Sequence, residues 1–305
     1  MPAGALPRMP ALERLLARCR VQTLDASPWG LLARQAGGEL GRWPVGPVSA
    51  LGDSAHAVAA CLRIEPLGAD PRGQGAFGLP ASRLEIRDEE ARSLAAAFRE
   101  VFDGDGLRLE IATPRRWYLA WDDVAVYPGW SGFQGPWRTL ADGDRPGPPE
   151  PGLRRLLSEV EMLFHEHPVN AARRGRGEPL IAGLHPWGGG MLAIMPAGAA
   201  SRLSPAGDEP WLAGLRRLGA VGGAARASAD DAAADSGVAW PVAIEDVGPE
   251  RFARVEASWA QPLLERLAHG RLAAVRIVTA RAVHETTRFG LLRAWRRPRP
   301  ASELC

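Results

Sequence analysis

The chain has 305 residues, 46% of them hydrophobic and 24% charged, with a formal net charge of +2. That is a globular composition with room for one large domain or two modest ones, and it exerts no overall pull toward nucleic acid or membrane. Every cation is arginine, which excludes lysine-type base and Schiff-base chemistry.

Three widely spaced cysteines (Cys19, Cys61, Cys305) predict a reducing compartment without a disulfide framework. The opening MPAGALPRMP lacks the apolar core of a signal peptide, and no apolar run approaches the ~20 residues of a membrane span. A cytoplasmic location is expected.

In chain order, residues 11–18 read as a short helix. Residues 28–50 form a Gly-, Pro- and Trp-rich passage around a short helix near Leu31. Asp53 or Ser54 caps a helix from Ala55 to Leu62, and residues 66–80 form a loop. Arg83 to Arg87 alternates as a strand. Asp88 then caps a helix whose apolar face is Ala91, Leu94, Ala95, Phe98 and Phe102, stopped by Gly104 to Gly106. Leu107–Ala112 and Arg116–Trp121 pair as a hairpin across Thr113-Pro114-Arg115. Residues 141–152 are a polar Pro/Gly-rich loop.

The next helix has an apolar stripe at Leu153, Leu156, Leu157, Val160, Leu163 and Phe164, and Pro168 sits near its end. HPVNAARRGRG offers one amide, three arginines and two glycines, so it reads as a loop with no share in a core. Met191–Met195 reads as a buried strand, Trp211–Leu218 as a helix, 222–237 as a surface loop and Trp240–Glu245 as a strand. Glu250–His269 reads as a helix kinked at Pro262. Leu272–Thr279 is a strand that pairs with Arg281–Phe289, and Trp295 anchors its end. The basic tail 293–299 reads as a solvated end.

Asn170, Arg173 and Arg174, with Arg176 beside them, form a candidate anion site. Guanidinium groups suit phosphate or carboxylate, and the backbone at Gly188 and Gly189 is free to approach the same anion. The plain alternative is a solvated loop. On either reading, removing Arg173 and Arg174 is expected to leave the unliganded melting temperature nearly unchanged. His165 and His167 flank Glu166, but residues two apart face different sides of a helix and the HExxH spacing is absent, so no metal site is expected there.

His167-Pro168-Val169-Asn170, followed by Arg173 or Arg174, Gly177 and the glycine cluster 188–190, resembles the central motif of the archaeal-type cofactor-independent phosphoglycerate mutases of the alkaline phosphatase superfamily. It resembles still more the RpfE-type regulatory proteins (regulation of pathogenicity factors) of Gram-negative bacteria. The mutases' second asparagine is replaced here by the run Pro179 to Gly183. Leu51 to Ala57 resembles the mutases' Gly-Ser-Asp and Ala-His segment with Asp53 and Ser54 transposed. The resemblance implies Ser54 as a phosphoryl acceptor, with Asp53 and His56 as the other catalytic candidates. Those families begin with a strand carrying a metal-binding aspartate; here only MPAGALPRMP precedes the first helix, so an upstream start or a lost strand is expected. Their later metal ligands include an Asp-His dipeptide, which this chain lacks; His269 and His284 are its only histidines after residue 191.

The resemblance implies an α/β fold: an alkaline-phosphatase-like central sheet with helices on both faces, formed by 1–80 and 186–305, and an inserted α+β cap at 81–185. It implies a non-catalytic regulatory or interaction protein of the RpfE type, with the mutase metal site lost and no cofactor. The alternatives are an active 2,3-bisphosphoglycerate-independent phosphoglycerate mutase or related phosphatase, requiring Mn, Zn or Mg, and a metal-free sensor of a small phosphorylated acid. The expected partner is accordingly a protein or a small phosphorylated acid, with no membrane and no nucleic acid.

Overall fold

The structure is a computed structural model and describes residues 8–23, 44–53, 58–70, 78–131, 149–192, 210–218, 249–278, 282–293 and 295–298. The chain is mixed α/β, with two antiparallel sheets and packed helices. It divides into two compact units. One comprises Gly37–Ala199 and Glu209–Ala220; the other comprises Met1–Ala36, Ala200–Asp208 and Val221–Cys305.

The first unit is built on a four-stranded sheet in the order β3-β4-β2-β5, where β2 is Ala60–Ala69, β3 Leu107–Thr113, β4 Arg116–Trp121 and β5 Leu180–Met191. The hairpin closes as the sequence indicates, with Leu107 opposite Trp121 and Thr113 opposite Arg116. Strand β2 lies in the stretch expected in the core, β3 and β4 in that expected in the cap, and one sheet joins them.

Side chains alternate across this sheet. Leu62, Ile64, Leu109, Trp117 and Leu119 face helices α3 (Asp88–Phe102) and α4 (Pro151–Glu166), whose stripes at Leu94, Phe98, Leu153, Val160 and Phe164 are buried with them. Each large apolar side chain buried this way contributes roughly 1.5–3 kcal/mol. On the opposite face Cys61, Tyr118 and Ala120 pack against Ala50 of α2 (Val45–Asp53).

Three local expectations for this unit are corrected. The helix expected at Ala55–Leu62 is replaced over Ala60–Leu62 by strand β2, buried continuously from Ala60 through Ile64. An apolar run that fills the space between two other strands buries both of its faces, which a single helical stripe cannot do. Arg83–Arg87 is no strand; a 3₁₀ turn spans Ala81–Arg83 and Glu85 adopts a left-handed φ of 45°, which breaks strand alternation. HPVNAARRGRG is not a loop but helix α5 (Pro168–Arg176).

In the second unit, β1 (Arg20–Thr23) and β6 (Ala274–Val278) flank β7 (Ala282–Thr287), so the expected pairing of the last two strands is present, Ala274 opposite Thr287. Helix α1 (Pro10–Ala17) packs Leu15 against Leu264, Leu267, Val275 and Leu291. The backbone N–H groups of Ala11 and Leu12 donate to Glu256, at 2.6 and 3.1 Å. A carboxylate there satisfies two orphan donors at the positive end of the helix dipole. Glu256–Ala260 is a π-helical turn between α7 (Pro249–Val255) and α8 (Gln261–Ala268). Pro262 follows this π-helical turn closely within a helical run, and such a bulge is one of the irregularities by which a helix takes up a proline. Trp295 anchors nothing; it is exposed.

The expected helix near Leu31, the loop 222–237 and the strand Trp240–Glu245 lie outside the described residues. Among the described residues no helix is long and apolar enough to cross a membrane.

Candidate functional site

The mutase-like motif begins at the junction of α4 and α5. His167 ends one helix and caps the next: its Nδ1 accepts from the Val169 N–H at 3.2 Å. Pro168 occupies the first helical position, where its fixed φ fits. Gly177, at φ 69°, closes α5, and its N–H and that of Glu178 bond back to Arg174 and Arg173 carbonyls.

Between these caps the polar side chains turn inward. Asn170 is fully buried. Its amide nitrogen donates to the carbonyls of Phe164 and Ile181, both at 2.7 Å, and its oxygen accepts from the Ile181 N–H at 2.9 Å. One amide thus ties the end of α4 to the start of β5. Arg173 is also fully buried. It donates to the Pro179 carbonyl at 2.7 Å, to the Leu84 carbonyl, and to Glu90 at 2.5 Å.

Glu90 is the hub of this clamp. Besides Arg173 it accepts from the Arg87 N–H and guanidinium, both at 3.0 Å, and from Arg176 at 2.7 Å. Glu178 takes up the outer guanidinium groups of Arg87 and Arg176, at 2.7 and 2.8 Å. Burial alone raises the Glu90 carboxyl; the Arg87 N–H bond and the charges of Arg173 and Arg87 outweigh it and hold it below its ordinary 4.5. Bonds from Arg87 and Arg176 hold Glu178 far below the same value. Burial holds the His167 imidazole below its ordinary 6.5.

All three shifts have one sign. A carboxyl with a depressed folded pKa contributes stability that is present above 4.5 and lost as pH falls through the folded value; a desolvated histidine likewise disfavours the folded state once pH drops below 6.5. The urea midpoint is therefore expected to decline slightly below pH 6.5 and steeply below 4.5. Glu178→Gln should flatten the steep part, and a midpoint that holds constant down to pH 3 in both proteins would refute the assignment.

On the other face of the sheet, Asp53 ends α2. Arg116 grips its carboxylate bidentately, both contacts at 2.6 Å, and the Tyr118 hydroxyl donates to it at 2.5 Å. Burial disfavours the charge on Arg116, and the Asp53 carboxylate outweighs that effect. Burial pushes the Tyr118 phenol well up. Arg63, across the ladder from Tyr118 and Trp187, is buried with its guanidinium 4.8 Å from the Trp187 ring centre. Arg63, Arg116 and Tyr118 are site residues that the sequence analysis does not single out. The available signal was an arginine inside an apolar strand.

The structure therefore separates the candidates. Asn170 and Arg173 lie with the helices on one sheet face and Asp53 on the other. Arg174 is exposed on α5. The Asp53 carboxylate fastens the end of α2 to β4. Gly188 and Gly189 belong to β5: the Gly189 N–H donates to the Ser131 carbonyl at 2.9 Å, and a Cβ at Gly188 would meet Val45 at 2.9 Å. Ser54 and His56 lie outside the described residues. Among the described residues no group of three His, Cys, Asp or Glu side chains is placed to hold a metal ion.

No protein-family model matches the chain, and no curated protein matches it. Among solved structures, it is similar to the cofactor-independent phosphoglycerate mutase from Thermoplasma acidophilum DSM 1728, at 18% identity over 94% of this chain and 84% of that one, with a TM-score of 0.37.

Proposed function

We propose that the chain is a non-catalytic regulatory or interaction protein of the RpfE type, cytoplasmic and without a metal cofactor, descended from an alkaline-phosphatase-like core with an α+β cap. One observation carries this reading: the buried amide and guanidinium of the mutase-like motif, Asn170 and Arg173, are engaged by the protein's own backbone and Glu90. A residue that binds a substrate must present donors to it. Here those donors hold α4, α5, β5 and α3 together, so the motif persists as architecture after its ligand role is gone.

The test is catalytic. Purified protein supplied with manganese, zinc or magnesium should not interconvert 2- and 3-phosphoglycerate. Metal-dependent turnover that disappears in Ser54→Ala would overturn the proposal and reinstate the mutase reading.

A further inference from the structure

Residues 288–293, following β7, form overlapping turns around the 3₁₀ helix Gly290–Leu292, and a separate bond links Arg296 back to Arg293. The N–H groups of Leu291, Leu292 and Arg293 donate to the carbonyls of Arg288, Phe289 and Gly290 at 3.2, 3.2 and 3.1 Å, and that of Arg296 to Arg293 at 3.0 Å. The inner side of these turns is fastened down. Leu291 is in the core, its carbonyl accepts from Arg18 at 2.5 Å, the Gly290 N–H donates to Thr287 at 3.0 Å, and Arg296 donates to the Cys19 carbonyl at 3.0 Å.

The outer side carries large apolar groups at a spacing of three. Phe289 is 79% exposed, Leu292 71% and Trp295 76%. Phe289 and Leu292 lie three apart across the 3₁₀ turn Gly290–Leu292, a spacing that places them on one edge, and Trp295 is exposed a few residues further on. Arg288, Arg296 and Arg297 are exposed around them and Arg293 is half-buried, while no acidic residue occurs from Arg288 to Pro298. An anchored segment that exposes three large apolar side chains among cations differs from a solvated end, and these side chains form an apolar ridge.

We propose that this ridge docks the protein reversibly on an anionic lipid surface. Tryptophan, phenylalanine and leucine insert at the headgroup boundary, and the flanking arginines meet lipid phosphates, which supplies the two signals a peripheral contact needs. Such a contact requires no spanning segment. A second copy of the chain fits less well. Three side chains of this size present on the order of 400 Å², so two ridges face to face bury roughly 800 Å², short of the ~1,200 Å² of a stable dimer. The inference is independent of whether the mutase-like motif retains a ligand.

The test uses the full chain and vesicles of phosphatidylcholine, alone or mixed with phosphatidylglycerol. The wild type should float with the anionic vesicles, not with the neutral ones, and added salt should release it. The triple variant Phe289→Ser, Leu292→Ser, Trp295→Ser should lose at least about tenfold in partitioning, and Arg288→Gln with Arg297→Gln should lose a comparable amount and much of the salt sensitivity. Both variants alter exposed side chains, so unchanged urea midpoints should accompany the losses. Absence of anionic-vesicle binding, or binding that the apolar triple variant leaves intact, overturns the proposal. A wild type that ignores vesicles but elutes as a dimer, with the triple variant monomeric, assigns the ridge to a second copy instead.

Discussion

Arg173→Ala is expected to cost at least about 2 kcal/mol of stability: Glu90 keeps Arg87 and Arg176, but the buried guanidinium that ties it to the rest of the clamp is gone, and each buried acceptor left unsatisfied costs about 1–3 kcal/mol. The same change orphans two carbonyls, those of Pro179 and Leu84, which accept from the guanidinium in the native protein. Arg174, one residue along the same helix, is exposed, and Arg174→Ala should stay within ~0.5 kcal/mol of the wild type. Chemical denaturation of the two variants separates the roles. The joint expectation of an unchanged melting temperature, drawn from reading the segment as a loop, is therefore corrected for Arg173. A loss below about 1 kcal/mol for Arg173→Ala would show that the clamp does not hold the fold.

The second large effect lies where α2 crosses α6 (Pro210–Arg217). A Cβ on Gly214 would come within 1.8 Å of the Val48 carbonyl oxygen, and one on Gly52 equally close to that of Pro210. The obstructing atoms are backbone, which no rotamer change can move aside. Gly214→Ala improves intrinsic helix propensity by ~1 kcal/mol, yet the helices must separate, and the packing loss is expected to reach at least the upper end of the roughly 1–3 kcal/mol typical of overpacking. The net change should be destabilising. Gly175→Ala in α5 is the control: nothing lies within 4 Å of its added carbon, so the propensity gain stands alone and the variant should be slightly more stable. Equal behaviour of the two variants would mean that the close crossing is absent in solution.

The elements read correctly were those with a strong local period. The stripes of α3 and α4 recur at helical spacing, and the β3–β4 hairpin turns at Pro114 between two apolar runs. Helix α5 was missed for the opposite reason. Its buried face is Asn170 and Arg173, three residues apart, so no apolar stripe marks it. Its stop and start signals, Gly177 and Pro168, were present but were outweighed by composition. The burial of Arg173 depends on Glu90 and the Leu84 carbonyl, more than eighty positions away, a pairing that no local pattern encodes. The same holds for Arg63, whose aromatic neighbour Trp187 comes from a strand much later in the chain. Strand β2 was misread because a short apolar run fits a buried helix as well as a buried strand; only its neighbours on both sides decide.

The claim that the mutase-like motif serves as architecture is tested most directly by titrating the stability of the wild-type protein with 3-phosphoglycerate. A ligand that binds the folded state stabilises it by RT ln(1 + L/Kd), with L the free ligand concentration, so the melting temperature climbs once that concentration passes Kd. With Asn170 and Arg173 engaged by the protein's own groups, the expected result is no rise up to about millimolar ligand beyond that given by sodium chloride of equal ionic strength, in the range where a site with two charge-assisted bonds would respond. A ligand-specific rise in that range, lost in Arg174→Ala while that variant's unliganded melting temperature stays unchanged, would contradict the account and return the motif to phosphate binding.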